Sequence, residues 1–146
     1  MKLNVRKDAI SRHDSPIAYL FRSFSKNAFM GDKSFLKEDS AYYVRSDSSG
    51  ALAITHFKVV KTSGSYSYIN LHLETGKKNQ VRVHAQEAGH PIVGDHKYGA
   101  NSSPFNRLGL HAHLLTFFHP TKNKQMVFKS KLPKVFQFRG FDENNH

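Results

Sequence analysis

The sequence has no cysteine, which excludes disulfide staples, thiolate zinc sites and a cysteine nucleophile. It is also short of acid: 11 Asp and Glu stand against 22 Lys and Arg, a formal net charge of +11. That balance favours a polyanionic partner, nucleic acid first. The charge is spread evenly, with 11 cations and 6 anions up to Leu73 and 11 and 5 after it, so it belongs to the folded body rather than to a basic tail. There is no apolar run near the roughly 18 residues a membrane helix needs, and the opening MKLNVRKDAIS lacks a signal-peptide core. The expectation is a soluble, cytoplasmic protein without a membrane partner. No internal repeat or low-complexity tract interrupts the 146 residues, enough for one domain with its own core.

The clearest pattern starts at Ala51. ALAITHFKVVK is rich in β-branched and aromatic residues, and SYSYINLHLE alternates between apolar and polar positions. Thr62 to Ser65 lie between them with turn chemistry, which predicts a β-hairpin. A second hairpin is predicted from LLTFFHP, a turn at Thr121 to Lys124, and QMVFKSK, with Pro133 to Phe141 as a closing strand or tail. Upstream, SPIAYLF reads as a strand, whereas FRSFSKNAFMGDKSF follows neither period. Between the hairpins KKNQVRVHAQEAG, 77–89, suits a helix, with Thr75 as N-cap and Gly89 as the left-handed C-terminal residue. The order predicts an α+β domain: a mainly antiparallel sheet with one principal helix.

On that helix Val81, Ala85 and Ala88 share a narrow apolar face, and Lys78, Arg82 and Gln86 recur every four residues as a polar stripe. Lys77, Lys78 and Arg82 near a helix start combine side-chain charge with free backbone N–H groups, which suits phosphate. Arg82 lies between Val81 and Val83, so a half-buried guanidinium needing an anionic or carbonyl partner is expected. Asp14, Asp32, Asp39 and Asp95 all qualify. The loop His90-Pro91-Ile92-Val93-Gly94-Asp95 with Lys97-Tyr98-Gly99 has the proline and glycines of a constrained turn. Ten histidines invite a metal, but none shows the His-Glu-x-x-His spacing, and His111 and His113 alone make a weak pattern. No metal site is expected. Among 18 aromatics, 12 Phe are core candidates, while Tyr66, Tyr68 and Tyr98 suit edge or groove positions where unpaired bases stack.

Several of these stretches together resemble a known family. Leu73 to His84, LETGKKNQVRVH, then Gly89 to Asp95, GHPIVGD, and Tyr98-Gly99 are similar to the C-terminal half of RluA-type RNA pseudouridine synthases. Arg107 to Ala112 with Leu115, Phe117, His119 and Pro120 resembles that family's next signature, and Ser34 to Glu38 and Ala53 to Phe57 its intermediate strands. The likeness covers about residues 30–138.

This resemblance implies isomerisation of uridine to pseudouridine in structured RNA, rRNA or tRNA, without a cofactor. It implies that Arg82 supports catalysis by pairing the family's nucleophilic aspartate. It also implies that Lys77, Lys78, Asn79, Gln80 and His84 face RNA, and that Tyr19 takes the place of a uracil-contacting tyrosine. The aspartate's His-Arg-Leu-Asp-x-x-Thr-Ser-Gly motif is not found, and Asp14 lies too close to Ser34 to replace it. The implied organisation is a divergent or truncated segment 1–30, a synthase-like C-terminal half 31–141 and a tail 142–146. Such a domain is incomplete on its own, with self-association through exposed sheet edges. The alternative is a non-catalytic RNA-binding module derived from the same family.

Overall fold

A computed structural model describes residues 13–21 and 29–136, with side chains from Lys33 to Phe136. Seven strands form one sheet: β1 (His13–Phe21), β2 (Phe29–Glu38), β3 (Val44–Ser46), β4 (Ala51–Ser63), β5 (Tyr66–Leu73), β6 (Leu110–Phe118) and β7 (Gln125–Lys129). Their order is β3-β2-β4-β5-β1-β6-β7, and every pairing is antiparallel. One α-helix, α1 (Gln80–Glu87), packs on it. The fold is therefore α+β, a mainly antiparallel sheet with one α-helix among the described residues.

Both predicted hairpins form. In β4 the buried residues Ala53, Thr55, Phe57 and Val59 alternate with less buried neighbours, as a strand with one covered face requires. The register with β5 slips between Val59 and Lys61, a bulge within the apolar KVVK run. SPIAYLF does form a strand. It is the innermost of its half of the sheet, bonded to β5 at Ile17↔Asn70 and to β6 at Ile17↔His111.

The helix begins at Gln80, three residues later than the sequence suggests. Its N-cap is Asn79 rather than Thr75, and Asn79 is left-handed at φ 54°, which stops the helix from extending backward. Thr75 has another partner. Its Oγ1 accepts the Ile54 N–H at 2.8 Å and donates to Gln80 Oε1 at 2.7 Å, tying the loop to β4. The other end closes as predicted: Gly89 sits at φ 77°, its N–H donates to Gln86 O, and His90 N–H donates to Ala85 O, the paired bonds of a Schellman stop.

Val81 and Ala85 pack with Phe57, Ile69, Leu71 and Ile92, while Val83 packs with Leu36, Val44, Ala53 and Tyr98. The helix thus joins two apolar clusters, and each valine buried contributes about 1.5 kcal/mol or more. A third cluster, Tyr68, Val93, Phe105, Leu132 and Phe136, takes in Val93 of the loop after α1.

In that loop Gly94 is left-handed at φ 76°, and a side chain there would collide with the Arg107 carbonyl. Gly89 shares the positive φ but has open space around it. Gly94→Ala is expected to cost more than about 2 kcal/mol, from backbone strain plus overlap, and Gly89→Ala only about 1 kcal/mol, from strain alone. Denaturant midpoints of the two variants check this; equal losses would show that the Arg107 backbone yields.

Candidate functional site

The loop that ends α1 brings Asp95 back against the helix. Asp95 is 1% exposed. Its N–H donates to Ile92 O, and its own carbonyl accepts the Tyr98 and Ala100 N–H groups, each at 3.0 Å. Its carboxylate receives Arg82 in a two-point fork, Nε to Oδ2 at 2.8 Å and Nη2 to Oδ1 at 2.7 Å. Arg82 Nη1 donates to Asn79 Oδ1 at 3.1 Å, and Cζ lies 4.8 Å from the centre of the Tyr98 ring. Of the four aspartates weighed from the sequence, the structure selects Asp95. Asp39 caps the turn after β2, accepting the Ala41 and Tyr43 N–H groups at 2.9 Å. The side chains of Asp14 and Asp32 lie outside the described residues.

Hydrogen bonding to Asp95 raises the Arg82 pKa, and partial burial opposes that rise. The guanidinium is charged throughout the physiological range. It has five N–H donors, three of which are used by Asp95 and Asn79. With 23% of the side chain exposed, the remaining outer edge is open to a further acceptor.

The other predicted contacts separate into two groups. Lys77 and Lys78 are exposed, and Asn79 is half-buried. Lys78 Nζ pairs with Glu38 across to β2. Gln80 and His84 are interior instead. Gln80, 2% exposed, donates to Ile54 O and Thr55 Oγ1 and accepts the Lys77 N–H. His84, fully enclosed, has Nδ1 2.9 Å from Thr55 Oγ1 and Nε2 2.9 Å from Ser34 Oγ. Both positions hold α1 on the sheet, and neither offers a surface to a large ligand. Tyr19 falls in β1 opposite Tyr68, with its side chain outside the described residues.

Two of the three tyrosines expected at an edge are core, Tyr68 at 3% and Tyr98 at 1% exposed, and Tyr66 is half-buried; Tyr42, by contrast, is 71% exposed. The Tyr98 hydroxyl explains its burial, since it lies 3.3 Å from both the Val44 N–H and Asn79 Nδ2 and so links β3 to the start of α1. Among the described residues no three His, Asp or Glu side chains converge as metal ligands, and no helix is long and apolar enough to cross a membrane. Burial, Arg107 and His113 together lower the His111 pKa, and His113 Nδ1 lies 2.7 Å from Ser130 O.

Removing Arg82 strands a buried carboxylate. Arg82→Ala is expected to lose about 3 kcal/mol, and the double variant Arg82→Ala, Asp95→Ala to regain a measurable part of that. Thermal unfolding of the two single variants and the pair checks the coupling; strictly additive losses would show that the fork contributes nothing.

A family model described as RNA pseudouridylate synthase matches residues 6–87. The uncharacterized RNA pseudouridine synthase YjbO of Bacillus subtilis (strain 168) is 39% identical over 85 residues, which cover 58% of this chain and 30% of that protein. The ribosomal large subunit pseudouridine synthase D of Zymomonas mobilis subsp. mobilis is 38% identical over 101 residues, 63% of this chain and 32% of its own length. The solved structure of human RNA pseudouridylate synthase domain containing 1 has a TM-score of 0.69 at 24% identity, over 84% of this chain and 55% of that one, a likeness of fold. The chain spans about a third of the length of the curated relatives it matches. With more than half of its residues under that family model, and with the RluA-type motifs folded around one paired arginine, the chain belongs to the RNA pseudouridylate synthase family.

Proposed function

We propose that this chain is the arginine-bearing, RNA-facing part of a pseudouridine synthase. It binds structured RNA, rRNA or tRNA, in the cytoplasm through Lys77 and Lys78, beside the outer edge of Arg82. The observation that carries this reading is the Arg82–Asp95 fork, which fixes a guanidinium beside two exposed lysines and leaves donors pointing outward. A guanidinium so held meets a phosphate or carboxylate without further ordering of its side chain. Asn79, Gln80 and His84 position this face from behind.

The isomerisation exchanges the ribose bond to uracil N1 for a bond to C5, with a proton lost at C5 and one gained at N1. It needs a carboxylate free to reach the nucleotide. Asp95 does not qualify, because both of its oxygens are engaged by Arg82 and its side chain is enclosed. In this reading a further carboxylate approaches the open edge of Arg82 to complete the site, and the chain needs no cofactor. The same enclosure of Asp95 favours a second reading, in which the chain binds RNA without turning it over.

Binding to a uridine-containing hairpin transcript, followed from 50 to 200 mM salt, tests the shared part. Affinity is expected to fall steeply with salt, and Lys77→Ala with Lys78→Ala to reduce the slope by about one per lysine that touches a phosphate. A flat salt dependence would overturn both readings. Pseudouridine, scored by reverse-transcription stops after carbodiimide treatment, separates them. Product that survives Asp95→Asn and is lost in Arg82→Lys supports a catalytic part with its carboxylate elsewhere; salt-sensitive binding without product supports the non-catalytic one.

Self-association forms part of the proposal. Leu115, Phe118, Val127 and Phe128 of the β6–β7 ribbon are 37–54% exposed, and β7 is a terminal strand of the sheet. Sedimentation velocity is expected to show concentration-dependent dimers, weakened in Phe128→Lys; a monomer at all concentrations would remove this element.

A further inference from the structure

The turn between β2 and β3 carries a feature that the uridine chemistry does not use. Tyr42, at its tip, is 71% exposed and left-handed at φ 58°, a conformation a tyrosine rarely adopts. The backbone is pinned from several sides. Tyr42 N–H donates to Asp39 O at 3.0 Å, the flanking Ala41 and Tyr43 N–H groups go to Asp39 Oδ1, and Lys97 Nζ donates to Tyr42 O at 3.0 Å. A large ring is thus held outward by a loop that cannot readily fold it back.

Cations flank the two tyrosines of this turn. Lys78 Nζ lies 5.5 Å from the Tyr42 ring centre, and Lys97 Nζ and Arg45 Cζ lie 4.6 and 5.2 Å from that of Tyr43. Tyr43 in turn sits 5.2 Å from Tyr98, whose ring lies under Arg82. A file of rings therefore runs from Tyr43 through Tyr98 to the paired arginine, and the neighbouring Tyr42 holds its ring beside Lys78. Glu38, Asp39 and Asp95 neutralise Lys78, Arg45 and Arg82 in part, so charge alone does not define the surface. The exposed ring face does. Stacking platforms flanked by cations are how proteins hold unpaired nucleotides, because every base has a π-face and each phosphate a negative charge.

We infer that Tyr42 is a stacking platform for an unpaired base of the bound RNA, a neighbour of the nucleotide at Arg82, with Lys78 and Lys97 meeting its flanking phosphates. This inference rests on the RNA-binding reading above and adds to it a preference for looped or single-stranded RNA over duplex. It also assigns a base-contacting residue to a turn that lies outside the helix and its loop.

The chain has no tryptophan, so Tyr42→Trp places a single reporter at the turn. Its emission is expected to change on saturation with an RNA hairpin bearing an unpaired uridine loop, and to change little with a blunt duplex of the same composition. Tyr42→Ala should weaken loop binding on the order of tenfold, with Tyr42→Phe near wild type and the salt slope unaltered. If Tyr42→Ala binds the loop as tightly as wild type while salt sensitivity persists, the platform is refuted and the RNA-binding reading stands. An unresponsive Tyr42→Trp at saturation also refutes the platform. If wild type itself shows no salt-sensitive binding, both fall together. Thermal unfolding of each variant, for an exposed side chain, should match wild type and so separates lost stacking from lost fold.

Discussion

A two-point ion pair between Arg82 and Asp95 organises this chain. It is asymmetric: the carboxylate is sealed in, whereas the guanidinium keeps one edge in solvent. Desolvating Asp95 is tolerable only because two charge-assisted donors meet it and because its own loop is closed by Gly94 and the Tyr98 turn. In exchange, the pair stitches α1 to the loop that follows it, and through Tyr98 to β3. The position of the exposed lysines and of the tyrosine turn depends on that stitch.

The polar interior beneath α1 has the same logic. Thr55 Oγ1 receives Gln80 Nε2 and sits beside His84 Nδ1, so one hydroxyl on β4 serves two helix side chains. Gln80 also gathers Thr75 and the Lys77 backbone. Such a network fixes the helix in register and rotation more tightly than apolar packing alone, because each displaced donor would be left unpaired in the interior. The outward stripe of Lys78 and Arg82 is the complement of this inward one.

The hairpins and the helix stop were legible in the sequence because their causes are local: alternation in β4 and β5, turn residues between them, and glycine at position 89. The helix start was not, since Thr75 resembles a cap by type and only its bond to Ile54 shows that it serves the sheet. Gln80 and His84 were expected to face RNA from the family resemblance, and their burial was not legible because a polar side chain bonded across the fold leaves no mark on its neighbours in sequence. The Arg82 partner was narrowed to four aspartates by chemistry and chosen by a loop. Tyr42 went unnoticed because no period or motif distinguishes an exposed tyrosine from a core one. The family likeness was visible in the motifs after Ser34, although the family model extends upstream to residue 6.

The placement of β1 has a consequence for how the molecule is made. Its two neighbours are β5 and β6, and the His13↔Thr116 pairing joins residues about 100 positions apart. Emerging from the ribosome at about 5–20 residues per second, the strand waits roughly 5 to 20 s for its second partner. During that interval its backbone donors and acceptors on one side must be satisfied by water or by something else. Closing a loop of that length costs more chain entropy than either hairpin turn, so the β1–β6 pairing is expected to form more slowly than the hairpins.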